Sequence, residues 1–258
     1  MIPVWLTSNV LWASLIILLA SAIWSRPKWA GPGWILFGLY WIGQPGHYIM
    51  EQDYYNAALT LVAAGFSFYI AWMILAKGGS KACSWLSYAA GICGIIYYPF
   101  AELAVLNSWL VGMTTLITAR LLEMASVPVS VEGWNTMALN GISVEIILAC
   151  TAIESIALFA GIILSVNAPL GRRIKALAIS TLTIYGLNII RNAFVLVAYG
   201  EQWFGADSFF MAHNVIAKIG STAALMIIAY AVLTMLPELL AMIDELAMDI
   251  RRHGGDAA

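Results

Sequence analysis

Three residues that lie far apart in the sequence, Cys150, Arg191 and His213, could together carry out acyl-transfer chemistry. A cysteine attacks as its thiolate, and its ordinary pKa of about 8.5 falls beside a cation or at a helix N-terminus. A neighbouring imidazole can accept and return the proton, and a guanidinium can stabilise the oxyanion of a tetrahedral intermediate. These residue types predict an enzyme that forms a thioester, provided that the fold brings them together.

Other residues of the same types have simpler explanations. A lone membrane cysteine most often serves packing, and Cys93 lies between two glycines that suit close helix contact. His47 competes with His213 for any acid/base role. The three cysteines, including Cys83, are too scattered for a disulfide framework or a Cys-x-x-Cys metal site. The sequence therefore predicts no metal site and no cofactor.

Arg191 is the most unusual of the candidates, because apolar turns flank it on both sides. A charged side chain within a membrane span costs several kcal/mol and usually faces the bundle interior with a partner; snorkelling towards the surface is the alternative. Asn188, three residues earlier, shares its helical face. Glu154, four residues after Cys150, could tune the cysteine, pair with Arg191, or satisfy an Asn or Tyr.

Composition determines the kind of fold that must position these residues. Of the 258 residues, 62% are hydrophobic and 10% charged, and the net charge of −2 does not suggest a nucleic-acid partner. Continuous apolar runs in lipid must be helical. The first run lacks a basic start and a cleavage site, so we interpret it as a span and not as a signal peptide. The predicted spans are 2–24, 33–50, 56–76, 84–106, 149–166, 176–199 and 209–236.

The segment 107–148 differs from the rest. Residues 108–125 have a helical pattern but contain Arg120 and Glu123, and β-branched residues then alternate on both sides of Asn140-Gly141, which predicts a hairpin. The predicted fold is an all-α polytopic membrane protein with about seven to eight transmembrane helices and a small extracellular β-hairpin-like insertion. We expect one integral-membrane domain over 1–258, with no internal repeat.

Basic residues predict the orientation. Nine of the twelve Lys and Arg fall in alternate connections: Arg26, Lys28, Lys77, Lys81, Arg172, Arg173, Lys175, Arg251 and Arg252. The positive-inside rule makes that side cytoplasmic, with the tail 237–258 as a short amphipathic helix there. The opposite connections carry acidic residues such as Glu51, Asp53 and Glu201. This assignment requires 108–125 not to cross; if it crosses, the orientation upstream inverts. In the orientation in which 108–125 does not cross, Cys150, Arg191 and His213 share one depth near the extracellular face.

Three sequence blocks resemble motifs of the exosortase/archaeosortase family. They are Ala149-Cys-Thr-Ala-Ile-Glu-Ser155, Leu187-Asn-Ile-Ile-Arg-Asn192 and Phe210-Met-Ala-His213. The motifs cover about the last 120 residues, and the upstream spans match only in general pattern. The resemblance implies that Cys150 is the nucleophile, Arg191 the transition-state stabiliser and His213 the acid/base. Some relatives carry Arg in the third block, so Asn214 and Lys218 could share that task.

The resemblance also implies a substrate. Such enzymes process membrane-anchored surface proteins with a C-terminal signal: a Pro-Gly-Phe motif, a transmembrane helix and a short basic cluster. Removal of that helix is linked to attachment of a membrane lipid, as on S-layer glycoproteins. A multi-pass cell-membrane transpeptidase, with a thioester acyl-enzyme and an active site toward the extracellular face, is the resulting expectation.

Alternative functions remain open from the residues alone. A membrane protease would use the same side chains, with water as the acceptor in place of the lipid. A transporter or lipid-binding scaffold would use Arg191 to bind an anionic group, although the chain lacks the repeated halves typical of transporters. In a purely structural membrane subunit, the alignment of Cys, Arg and His would be coincidence.

Overall fold

The structure of the protein, a computed structural model, describes residues 4–24, 26–50 and 54–255. This part of the chain is mostly helical. Its α-helices are α1 (Val4–Ile23), α2 (Ala30–Ile42), α3 (Pro45–Met50), α4 (Tyr54–Lys77), α5 (Lys81–Glu102), α6 (Ala104–Met124), α7 (Ile153–Ser165), α8 (Leu170–Gly200), α9 (Ala217–Met235) and α10 (Pro237–Gly255). Its strands are β1 (Ser130–Glu132), β2 (Thr136–Leu139) and β3 (Ile142–Glu145). The acidic residues Glu51 and Asp53, used above for orientation, lie outside the described residues.

The chain forms two compact units, and α5 and α7 contribute residues to both. The first unit contains the described residues of 1–95, 161–168 and 237–258. Its core is apolar: Leu18, Ala30, Trp34, Ile70, Ala71, Met73, Ile74 and Cys83. The Trp34 indole donates a hydrogen bond of 2.9 Å to Ser87 Oγ, so the one polar atom of this large buried side chain is satisfied.

Small residues let the helices of the first unit approach closely. A Cβ added to Gly91 would lie 2.6 Å from the Leu19 side chain, and one added to Gly161 would lie 3.0 Å from the Cβ of Cys93. Such close packing is what small residues provide between membrane helices. Cys93 therefore lies at a helix contact, as predicted, and Cys83 is buried in the core.

Several predicted helices have different ends in the structure. The span predicted over 33–50 is wrong as one helix, because Gly43 ends α2 and Pro45 begins α3. The span predicted over 84–106 ends at Glu102, where the extended backbone of Leu103 separates α5 from α6. Pro99 lies inside α5 near that end, and since proline has no backbone N–H, one hydrogen-bond donor of the helix is missing there.

The predicted C-terminal helix is present as α10. Its residues Leu246 and Ile250 pack against the core of the first unit, and Tyr69 on α4 donates a hydrogen bond to the Ile250 carbonyl. Part of the apolar side of this amphipathic helix is therefore covered by its own unit. Its cytoplasmic location stays a prediction.

The second unit contains residues 96–160 and 169–236. Its sheet has the strand order β1-β2-β3, and both pairings are antiparallel. The β2–β3 hairpin turns at Asn140-Gly141, where both φ angles are positive (54° and 80°), as the Asn-Gly signal predicts. Met137 and Leu139 on β2 are buried in a cluster with residues of α6 and α8, including Val111 and Leu196.

Four helices of the described residues are long and apolar enough to cross a membrane: Asn56–Lys77, Ala104–Met124, Leu170–Gly200 and Phe210–Met235. Shorter apolar helices are Ser8–Ile23 and Ile153–Ser165. The second of the four long helices, α6, contains nearly all of the segment 108–125, which does not cross the membrane in the seven-span interpretation. The chain is thus an α-helical membrane protein with a small sheet, while the number of spans and their direction stay predictions.

Candidate active site

Cys150 lies in a short 3-10 turn, Leu148–Thr151, that follows the sheet. Its N–H donates a hydrogen bond of 2.8 Å to the Ile147 carbonyl. Ala152 then adopts a left-handed conformation with φ of 60°, and α7 begins only at Ile153. The continuous helix predicted over 149–166 is therefore wrong at its start, and Cys150 precedes the helix by three residues.

Two asparagines hold the backbone of Cys150 against α8. Asn188 and Asn192 donate hydrogen bonds of 2.6 Å and 2.9 Å to its carbonyl oxygen, and both are buried. A buried carbonyl left without a donor would cost about 1–3 kcal/mol, so this double anchor fixes the position of the turn. Cys150 itself is half-buried, and its side chain packs against the cluster formed by α6, the sheet and α8.

Arg191 and His213 are in direct contact. Arg191 Nη2 lies 3.4 Å from His213 Nε2, and His213 Nδ1 lies 3.2 Å from Asn214 Oδ1. A guanidinium only donates hydrogen bonds, so Nε2 is the acceptor and the ring proton is assigned to Nδ1, which donates to Asn214. The ring also stacks on Phe209, with centroids 5.2 Å apart and planes 5° apart. These contacts hold a neutral imidazole whose Nε2 can accept a proton.

A π-helix positions His213. Residues Phe210–Ile216 form this wider helix immediately before α9, and His213 is its central residue. π-Helices are rare in proteins, and those that do occur often lie at functional sites. The predicted span 209–236 thus begins with a local widening that the hydrophobic pattern does not reveal.

An apolar cavity of about 360 Å³ adjoins the Arg191–His213 contact within the second unit. Arg191 and Asn188 both line it, as their shared helical face predicts. Arg191 Nε is buried and has no hydrogen-bond partner within the described residues. This donor is therefore available to a carbonyl or anionic oxygen that enters the site.

The remaining candidates take different partners. Glu154 accepts a hydrogen bond of 3.3 Å from Tyr97, the third of the alternatives left open by the sequence. It does not lie one helical turn from Cys150, since Ala152 breaks the helix between them. Lys218 is exposed on α9. His47 lies on α3 in the first unit, exposed, with its ring centroid 5.6 Å from that of Tyr48.

Sequence reasoning missed Asn192 as a site residue, although it follows Asn188 by four residues and therefore shares its face. Two amides one turn apart in the apolar second half of α8, with Arg191 between them, were the available signal. Among the side chains of residues 4–24, 26–50 and 54–255 that are described, no three His, Cys, Asp or Glu residues are grouped as a metal site requires. The structure thus places His213 against Arg191 and anchors the backbone of Cys150 to the helix that carries Arg191. The catalytic roles of the three side chains stay predictions.

Comparison with known proteins shows the family of this chain. The model of the transmembrane exosortase family matches residues 5–231. The chain is 29% identical to Archaeosortase A of Haloferax volcanii, over 82% of this chain and 81% of the relative. It is 28% identical to Archaeosortase A of Natronomonas pharaonis, over 85% and 80%. No solved structure matches. Because the family model covers most of the sequence, this chain belongs to the transmembrane exosortase family.

Proposed function

We propose that the protein is a membrane-embedded cysteine transpeptidase that cleaves the C-terminal sorting signal of membrane-anchored surface proteins. The contact between Arg191 and His213 carries this proposal, since α8 contributes Arg191 and also anchors the Cys150 backbone through Asn188 and Asn192. The Archaeosortase A relatives support the reaction class. The substrate signal we propose contains Pro-Gly-Phe before its helix.

The first half-reaction forms an acyl-enzyme. His213 Nε2 takes the proton from Cys150 Sγ, and the thiolate attacks the carbonyl carbon of the scissile peptide bond. The Arg191 guanidinium donates to the oxyanion that develops there. At 3.4 Å its hydrogen bond to His213 is long, so substrate can replace it. Collapse breaks the C–N bond, and His213 returns the proton to the leaving amine.

The second half-reaction resolves the thioester. An acceptor hydroxyl gives its proton to His213 and attacks the thioester carbonyl, and the thiolate leaves and recovers the proton. A membrane lipid is the acceptor we propose, and water would give hydrolysis instead. The proposed site opens toward the extracellular face of the cell membrane, and the whole chain acts as one integral-membrane domain.

Mass spectrometry of a reporter substrate tests the proposal. The reporter is a secreted domain followed by Pro-Gly-Phe, a transmembrane helix and a basic cluster. We expect the purified enzyme to release the helix and to carry the remainder as a hydroxylamine-sensitive adduct on the Cys150 peptide. Cleavage without any adduct, or an adduct only on Cys83 or Cys93, would contradict the proposed mechanism.

Arg191→Lys separates geometry from charge. Lys keeps the positive charge but lacks the planar fork of donors, so we expect kcat/KM for the reporter to fall about 100- to 1,000-fold. Arg120→Lys is the matched control, because Arg120 is exposed and forms an ion pair with Glu123. Thiol alkylation rates against pH, measured for both variants, report any loss of thiolate separately. Near-normal turnover of Arg191→Lys would show that only the charge is needed.

A further inference from the structure

The cavity beside Arg191 continues along α9 as a groove with one wall of small residues. Ala217, Gly220, Ser221 and Ala224 form that wall, and α8 forms the opposite one with residues such as Ile184. A Cβ added to Gly220 would meet nothing within 4 Å. The glycine therefore faces open space and makes no contact of its own with a neighbouring helix.

Small residues at this spacing usually serve close helix packing in membranes. Gly220 and Ala224, like Ala217 and Ser221, are four residues apart, which is the small-xxx-small pattern of helix–helix contacts. Gly91 and Gly161 in the first unit make such contacts, whereas Gly220 does not. At Gly220 the motif on α9 is therefore not filled by a neighbouring helix of the described residues.

The span that contains α9 is also the least covered of the four long apolar helices. Only 17% of the residues in its most apolar window are buried, compared with 33–39% in the other three. Large apolar side chains such as Ile219 and Ile227 are 67% and 70% exposed. The groove therefore opens sideways towards the hydrocarbon phase, from which a membrane-bound partner can reach it.

The dimensions of the groove limit what fills it. From Ala217 to Ile228 it follows α9 for roughly 16 Å, about half of the hydrocarbon core. A cavity volume of about 360 Å³ over that length suits a row of side chains and not a whole helix about 10 Å wide. A helix cannot sink into it, but a helix lying along its mouth can insert one row of side chains.

We propose that this groove docks the transmembrane helix of the substrate, an inference that rests on the proposed function. The groove reaches Arg191, and this favours the substrate helix as its occupant. A substrate helix that lies along α9 would present the peptide bond just before its own first residue to the Arg191–His213 contact. Large apolar residues of the substrate helix at i, i+3 or i+4 and i+7 fill the groove. The groove thereby selects the substrate by its helix and aligns its scissile bond.

Photocrosslinking tests the occupant directly. Benzoylphenylalanine is placed at Ala224, in the groove wall, or at Ile227, which is exposed but does not line the groove. The reporter is co-expressed with enzyme that also carries Cys150→Ala, so that the reporter stays uncleaved. We expect at least about tenfold more adduct with the reporter helix from position 224 than from 227, as a helix-in-groove contact requires. Equal yields, or lipid adducts alone at position 224, overturn the inference.

Filling the groove gives a second readout. Gly220→Leu places a side chain in the open space, so we expect KM for the reporter to rise about tenfold with little change in kcat. This is the result when a contact is lost that binds the substrate and the transition state equally. Gly186→Leu is the matched control, since Gly186 also meets nothing within 4 Å but lies off the groove. Equal effects of the two variants on KM overturn the inference.

The two proposals fail differently. A reporter that the wild-type enzyme does not cleave counts against the proposed function. Normal cleavage combined with no preference for position 224 and no effect of Gly220→Leu leaves the proposed function intact and removes only the docking groove.

Discussion

The Cys150→Ala variant is expected to lose both the cleaved reporter and the hydroxylamine-sensitive adduct. Loss of the nucleophile should lower turnover on the order of 10⁴- to 10⁶-fold, as it does in other enzymes with a nucleophile and a base. The protein should still fold, because Asn188 and Asn192 bind the backbone carbonyl of Cys150 and not its sulfur. Quantitative mass spectrometry of the reporter measures the loss.

Cys83→Ala and Cys93→Ala are the controls for this change. Cys83 is buried in the core of the first unit, and Cys93 lies at a helix contact there. Each substitution should leave most of the activity, with a modest cost in stability from the lost packing. Processing by Cys150→Ala at the wild-type rate would rule out covalent catalysis at this residue.

The second large effect is expected at His213. If its Nε2 transfers the proton, His213→Ala should slow acylation and acyl transfer by about 100- to 10,000-fold. The pH profile of kcat/KM should also lose the limb that titration of the imidazole contributes. Single-turnover measurements with the reporter, repeated across pH, give both quantities.

Two further variants separate the alternatives for the acid/base. Arg cannot act as a base near neutral pH, so His213→Arg should be as inactive as His213→Ala if His213 transfers the proton. His47→Ala should retain activity if His213 transfers the proton, because His213 is the histidine whose Nε2 lies 3.4 Å from Arg191 Nη2. Activity in His213→Arg together with its loss in His47→Ala would transfer the role to His47.

The sequence predicted those features that depend on local pattern. Asn140-Gly141 indicated the hairpin because a two-residue hairpin turn needs a positive φ angle at both residues, and Asn-Gly is a pair that adopts them. The structure has that turn. The helical spacing of Asn188 and Arg191 placed both on one face, and both line the same cavity. Apolar residues at helical spacing, with acidic residues between them, predicted the last helix after Pro237.

Features created by tertiary contacts escaped the sequence analysis. The apolar run through Cys150 looks helical, but Asn188 and Asn192 draw its carbonyl towards α8, and Ala152 turns left-handed. A left-handed alanine is disfavoured in isolation, so no propensity argument would predict it. Glu154 was misplaced for the same reason, because its relation to the cysteine assumed an unbroken helix.

The π-helix before α9 has a consequence for how this protein can diversify. Its i→i+5 bonding accommodates one residue more than an α-helix would over the same rise. Deletion of a single codon within Phe210–Ile216 would therefore return this segment to α-helical spacing, while the register of the following helix on its neighbours is kept. His213, which contacts Arg191, can therefore change position in evolution without moving the small residues of α9. The proposed proton transfer and the proposed docking of the substrate helix can then change independently.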